Sequence, residues 1–141
     1  HARSELMWAS AMGENGILKL GKVTDFQCHM LEHQLGAYTD CNHGQGLAVI
    51  HPILYRHIYK NAEDKFTRWA QEVWLVNGAI EGINSLADFI HEIKLPNRLS
   101  EMGIILDNAT IQAIAESTII TPGCCKKLTP YEIIEILNEC K

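Results

Sequence analysis

Apolar residues recur along this chain mostly at intervals of three and four, the period of amphipathic helices. Residues 2–14 predict a first helix ending near Gly16, with a short second turn reaching Gly21. The run Thr24-Asp25-Phe26-Gln27 fits a capping box, with Thr24 as N-cap and Gln27 at the third helical position. The helix it opens carries Cys28 to about Leu35. Gly36 and the polar run Thr39-Asp40-Cys41-Asn42 are expected to reverse the chain. Asn42 can cap a further helix starting at His43 and running through Ile50, which Pro52 should kink because it lacks an N–H and crowds the preceding turn.

Downstream, Phe66, Trp69, Ala70, Val73 and Trp74 form one apolar stripe, and Ile80, Ile83, Ala87 and Ile90 another. Leu95-Pro96 punctuates, and Leu99, Met102 and Ile104 fall in a short helical turn and loop. Ile111, Ile114, Ala115 and Ile119 line a further helix that Thr121-Pro122-Gly123 terminates. Thr129-Pro130-Tyr131-Glu132 combines an N-cap, a proline at the first helical position and a capping-box glutamate. The helix after it should bury Ile133, Ile136, Leu137 and Cys140. With no alternating strand pattern of useful length, the expected fold class is all-α, with about six to eight helices by period counting.

Length and composition fit that picture. A chain of 141 residues can bury one working core, and no repeat, low-complexity tract or linker divides it, so residues 1–141 read as a single domain. The net charge of −5 argues against nucleic acid as a partner. No apolar run is long enough to span a membrane, and no basic segment followed by an apolar stretch marks a secretory leader. Five cysteines form an odd set without secreted-domain spacing, which favours reduced thiols and a cytoplasmic location. Residues 1–9 already read as helix, without an initiator Met, as expected of a piece of a longer protein.

The candidate chemistry lies in the seven histidines. His29 and His33, at i and i+4, share one helix face, roughly 6 Å apart at Cβ. His43 follows the predicted reversal, with Gly44 and Gly46 leaving room for close approach. Neutral imidazole suits Zn²⁺ and Fe²⁺ alike. A helical His pair is also common on surfaces and in cores, and His51, His57 and His91 read as solvent-facing or hydrogen-bonded in the core. Cys28, adjacent to His29, points about 100° away from it on the helix. Both Cys28 and Cys41 are therefore expected as buried small hydrophobes. His29-Met30-Leu31-Glu32-His33 also satisfies H-x-x-E-H, the inverted zinc-protease pattern, with Glu32 then activating water. A helical interaction module with incidental histidines is the non-catalytic alternative.

The whole segment Cys28-His29-Met30-Leu31-Glu32-His33-Gln34-Leu35-Gly36-Ala37-Tyr38-Thr39-Asp40-Cys41-Asn42-His43-Gly44-Gln45-Gly46-Leu47-Ala48-Val49-Ile50-His51-Pro52 resembles the signature of the iron-containing alcohol dehydrogenases, particularly their NAD(P)-dependent butanol dehydrogenase branch. His29 and His43 are fourteen residues apart, the family's spacing. Arg3 to Ser10, Asn15-Gly16, Lys65-Phe66 with Val73-Trp74, Leu95-Pro96 with Leu99, and Leu128-Thr129 with Ile133-Ile134 extend the resemblance over nearly the whole chain.

The resemblance implies the helical C-terminal domain of a two-domain subunit with the dehydroquinate synthase-like fold. An N-terminal α/β domain, absent from residues 1–141, would carry NAD or NADP. It implies one divalent metal, Fe²⁺ or Zn²⁺, held by an aspartate and three histidines. Two of these ligands map to His29 and His43; the other two would precede residue 1. His33 matches the family's non-ligand histidine near nicotinamide and substrate, a catalytic position suited to proton relay. Glu32 then becomes a structural residue or one that supports a ligand from behind. The metal would act as a Lewis acid during hydride transfer between a butanol-like primary alcohol and NAD(P)⁺, and in reverse on the aldehyde. The intact enzyme is expected as a homodimer, and the isolated chain as inactive.

Two departures limit the transfer. Gly44-Gln45-Gly46 is not a dinucleotide-binding turn, and the loop Pro122-Gly123-Cys124-Cys125-Lys126 varies within the family, so nothing is carried onto it.

Overall fold

A computed structural model describes residues 1–141. Seven α-helices account for most of the chain: α1 (Ala2–Glu14), α2 (Gln27–Thr39), α3 (His43–Ile58), α4 (Glu63–Trp69), α5 (Ala79–Glu92), α6 (Asn108–Ser117) and α7 (Pro130–Glu139). Short 3₁₀ turns at Ile17–Lys19, Tyr59–Ala62 and Leu99–Met102 and a π-helical turn at Ala70–Trp74 fill the connections. No strand is present, as the periodicity predicts.

α3 is the central element and packs against α2, α5 and α7. Leu31 and Leu35 of α2, Ile50 and Leu54 of α3, Ile111 and Ile114 of α6, and Ile133, Ile136 and Leu137 of α7 join one continuous core. α4, the π-turn and α5 make a flank where backbones approach closely. A Cβ on Gly82 would stand 2.5 Å from that of Ala70, so a side chain larger than hydrogen at 82 would push α5 off the π-turn. The C-terminus is tied down by the Leu99 N–H donating to the Cys140 carbonyl at 2.8 Å and the Ser100 hydroxyl donating to the Lys141 carbonyl at 2.8 Å.

Several predicted signals hold. Asn42 Oδ1 accepts from the Gln45 N–H at 3.2 Å and opens α3. The Thr129–Glu132 capping box is complete and carries Pro130 at its start. Other signals lose to tertiary context. α2 starts three residues after Thr24, with Asp25 Oδ1 accepting from the Gln27 N–H at 3.1 Å. Gln27 is freed from capping. Its buried amide donates to Asp25 Oδ2 at 3.0 Å and to the Lys126 carbonyl at 3.1 Å, and its Oε1 accepts from the Leu128 N–H at 3.4 Å. One side chain thus fastens the 122–129 loop to the foot of α2.

Gly36 remains helical, and the reversal falls at Asp40 in the left-handed conformation, φ 55°. Pro52 lies buried within α3, which continues past it to Ile58. Val73 and Ile119, read as core, are exposed, the latter by 75%, because the π-turn rotates one outward and α6 ends before the other. Ile120 is buried instead.

Candidate metal centre

The site forms where α2 reverses into α3. α2 offers His29 and His33 one turn apart, and Asp40-Cys41-Asn42 is a connection short enough to set the first residue of α3, His43, beside them. The ring centroids of His29 and His43 are 5.2 Å apart, those of His33 and His43 5.2 Å, and those of His29 and His33 6.1 Å. One ligand atom from each lies within 4.8 Å of the others. All three predicted site residues are therefore gathered at one point.

Each ring is held differently. His29 is half-buried and stacks on Phe26, centroids 4.3 Å apart and planes 13° from parallel. Burial pushes its pKa below the ordinary histidine value, and the neighbouring His43 and His33 push the same way. The neutral ring, the ligating form, is thereby favoured. His43 donates Nδ1–H to Glu32 Oε2, which leaves Nε2 free. Glu32 is only 2% exposed. Its other oxygen, Oε1, accepts from the Cys41 thiol at 3.7 Å, so Cys41 serves as a half-buried donor where a buried hydrophobe was expected. Gly46 makes room for this carboxylate: a Cβ there would stand 2.6 Å from Glu32 Oε1. His33 is exposed and makes no hydrogen bond within the chain.

The donor set fits a divalent transition metal. Imidazole nitrogen suits Zn²⁺ and Fe²⁺, and the three rings bring one ligand atom each into a single small space. A carboxylate on the far nitrogen of a ligating imidazole is the usual outer partner in such sites. That arrangement tells against the H-x-x-E-H protease reading, because Glu32 is sealed behind His43 and cannot address a water on the metal side.

The remaining histidines behave as expected. His51 Nδ1–H donates to the Leu47 carbonyl at 3.0 Å, His57 pairs with Glu139 at 2.9 Å, and His91 meets Asn97 at 3.3 Å. Sequence reasoning did not find the stacking of Phe26 on His29 or the role of Gly46 in accommodating Glu32. The pattern held a trace of the latter, a glycine where the helix after a short reversal faces an acidic residue. No helix is long and apolar enough to cross a membrane.

Comparison with known proteins agrees with this geometry. The family profile described as "Fe-containing alcohol dehydrogenase family, C-terminal" matches residues 1–140. NADH-dependent butanol dehydrogenase B of Clostridium acetobutylicum is 36% identical over 146 residues, covering 97% of this chain and 37% of that protein. The NADPH-dependent aldehyde reductase YqhD of Escherichia coli is 29% identical over 79% of this chain and 30% of its own length. Among solved structures, NADH-dependent butanol dehydrogenase A from Thermotoga maritima superposes with a TM-score of 0.88 at 24% identity, over 99% of this chain and 39% of that one. The chain thus spans under two fifths of the length of these relatives. With a profile match along nearly its full length and a curated relative above 30% identity, this chain belongs to the Fe-containing alcohol dehydrogenase family, as a counterpart of its C-terminal part.

Proposed function

We propose that residues 1–141 are the metal-holding helical domain of a longer, NAD(P)-linked alcohol dehydrogenase that interconverts a primary, butanol-like alcohol and its aldehyde. A nucleotide-binding domain would precede residue 1. The observation that carries the reading is the convergence of His29, His33 and His43 on one point. Further support comes from α1, none of whose residues is buried. Leu6, Met7 and Trp8 stand 73%, 74% and 67% exposed, an apolar surface suited to further polypeptide.

In this reading His29 and His43 are metal ligands, and His33 is the catalytic proton carrier. The ion, Fe²⁺ or Zn²⁺, supplies Lewis acidity when bound. Phe26 fixes the plane of His29, and Glu32 holds the Nδ1 proton of His43 so that Nε2 faces the site. His33, on the same face with both nitrogens free of partners, takes the proton released from the substrate hydroxyl and passes it to solvent. Five unpaired thiols accord with a reducing cytoplasm, and the family resemblance favours a homodimer.

Metal content and turnover in the full-length gene product test this assignment. His29→Ala and His43→Ala should each lose most of the bound metal. His33→Ala should keep the metal while losing turnover of butanal with NAD(P)H and altering the pH profile. A His33→Ala protein stripped of metal would make it a third ligand from this chain; one with unchanged turnover and pH profile would remove the proton-carrier role. Casein hydrolysis without dehydrogenase turnover would revive the protease reading.

A further inference from the structure

Only one of the two oxygens of the buried Glu32 carboxylate meets a histidine, Oε2 on the His43 Nδ1–H. The other, Oε1, lies in a nook between two glycines. A Cβ on Gly46 would stand 2.6 Å from it and a Cβ on Gly36 3.6 Å. Neither glycine has a side chain to offer, and the hydrogen bond that Oε1 accepts within the chain comes from the Cys41 thiol at 3.7 Å. Glu32 is 2% exposed, so an Oε1 without that donor would be left poorly answered.

The reversal between α2 and α3 sets where the thiol stands. Asp40, left-handed at φ 55°, donates its N–H to the Gly36 carbonyl at 2.8 Å and closes α2. Asn42 Oδ1 accepts the Gln45 N–H at 3.2 Å and opens α3. Cys41 is the single residue between them, with its backbone pinned on both sides. Its side chain also packs against the core, so two roles compete. For a small apolar filler, valine is the good replacement and serine the poor one. For a donor to a buried carboxylate the order is the reverse, since serine keeps an O–H and valine has nothing to donate.

We propose that Cys41 is a positioning residue of the metal centre: its thiol proton holds Glu32 so that Oε2 stays on His43 and the His43 Nε2 stays turned toward His29 and His33. The proposal rests on the metal-holding reading above and names a further residue of that same site. Cys41 acts through Glu32 and then His43. Outer partners of ligating histidines typically carry about 10- to 100-fold of metal affinity. A thiol is a weak donor, and Cys41 also lines an open groove, from which water can answer Oε1 in part. Loss of the donor should therefore cost less than loss of Glu32, about 3- to 10-fold in metal retention.

The test measures two properties of the full-length protein: metal content after dialysis against graded chelator, and the thermal midpoint of the metal-free form. Cys41→Val should lose metal about 3- to 10-fold more readily than wild type, while Cys41→Ser stays close to wild type. The metal-free midpoints should run the other way, with Cys41→Val at or above Cys41→Ser. Cys41→Ala, which lacks a donor and adds no bulk, carries the same test if Cys41→Val is too wide to fold. Metal retention in Cys41→Ser no better than in the variants without a donor would overturn the positioning role and leave Cys41 a packing residue. A wild-type protein that holds no metal would instead overturn the metal-centre reading, and the role of Cys41 with it.

Discussion

Glu32 is the residue on which the geometry of the histidines turns. A carboxylate 2% exposed must have partners, and its partners here are the His43 Nδ1–H and the Cys41 thiol. Removing the carboxylate releases His43 to rotate and exchange its ring proton between nitrogens. Outer partners of ligating histidines typically carry about 10- to 100-fold of metal affinity. Glu32→Ala in the full-length protein should weaken metal retention by about that factor, with Glu32→Gln falling between, as measured by metal content after dialysis against graded chelator. Gly46→Ala should act in the same direction, because its methyl would occupy the space of the Glu32 side chain. Undiminished metal retention in Glu32→Ala would show that the α3 backbone alone sets the ring.

At the scale of elements, the start of α7 is the best-defined local structure. The Thr129 N–H and hydroxyl each donate to Glu132 Oε2 at 2.9 Å, the Glu132 N–H donates to Thr129 Oγ1 at 3.3 Å, and Lys126 pairs with Glu132 Oε1. The Lys126 contact first, and then the Thr129 N–H, lower the Glu132 pKa from 4.5 to about 2. A depressed carboxylate pKa stabilises the fold above the ordinary value, and that contribution disappears as pH falls through the folded value. Glu132→Gln should therefore lower the thermal midpoint at neutral pH, and its difference from wild type should close between about pH 4.5 and pH 2. A gap that persists unchanged at pH 2 would mean the carboxylate's charge contributes nothing. The cap also matters to the site, since α7 and the loop before it are joined through Gln27 to the helix that carries His29 and His33.

For the whole molecule, the contrast is between a well-packed body, α2 to α7, and α1, which buries no residue and packs mainly on the turn that follows it. A helix of thirteen residues is marginal in water without tertiary packing. In the isolated chain, α1 amides should exchange with solvent far faster than those of α3; in the full-length protein they should be protected. By the same reasoning the isolated chain, with two of the four expected ligands, should hold metal weakly and show no dehydrogenase turnover. Stoichiometric, tightly bound iron or zinc in the isolated chain would contradict the ligand assignment.

Local chemistry decided what the amino-acid order alone made legible. Helical period, the Asn42 cap and the Thr129–Glu132 box act within four residues, so the all-α class and the starts of α3 and α7 were legible. So was the shared face of His29 and His33, because a helix fixes i and i+4 by its own geometry. Contacts between distant segments settled the rest. Thr24 lost its cap because Gln27 found better partners a hundred residues away; Val73 and Ile119 turned outward because the π-turn and the end of α6 are set by packing. That His43 meets His29 depends on Asp40 accepting a left-handed turn, and the pairing of Glu32 with His43 on a glycine thin enough to admit it. Spacing along a chain specifies which residues share a face, whereas only the close packing of two helices specifies which faces meet.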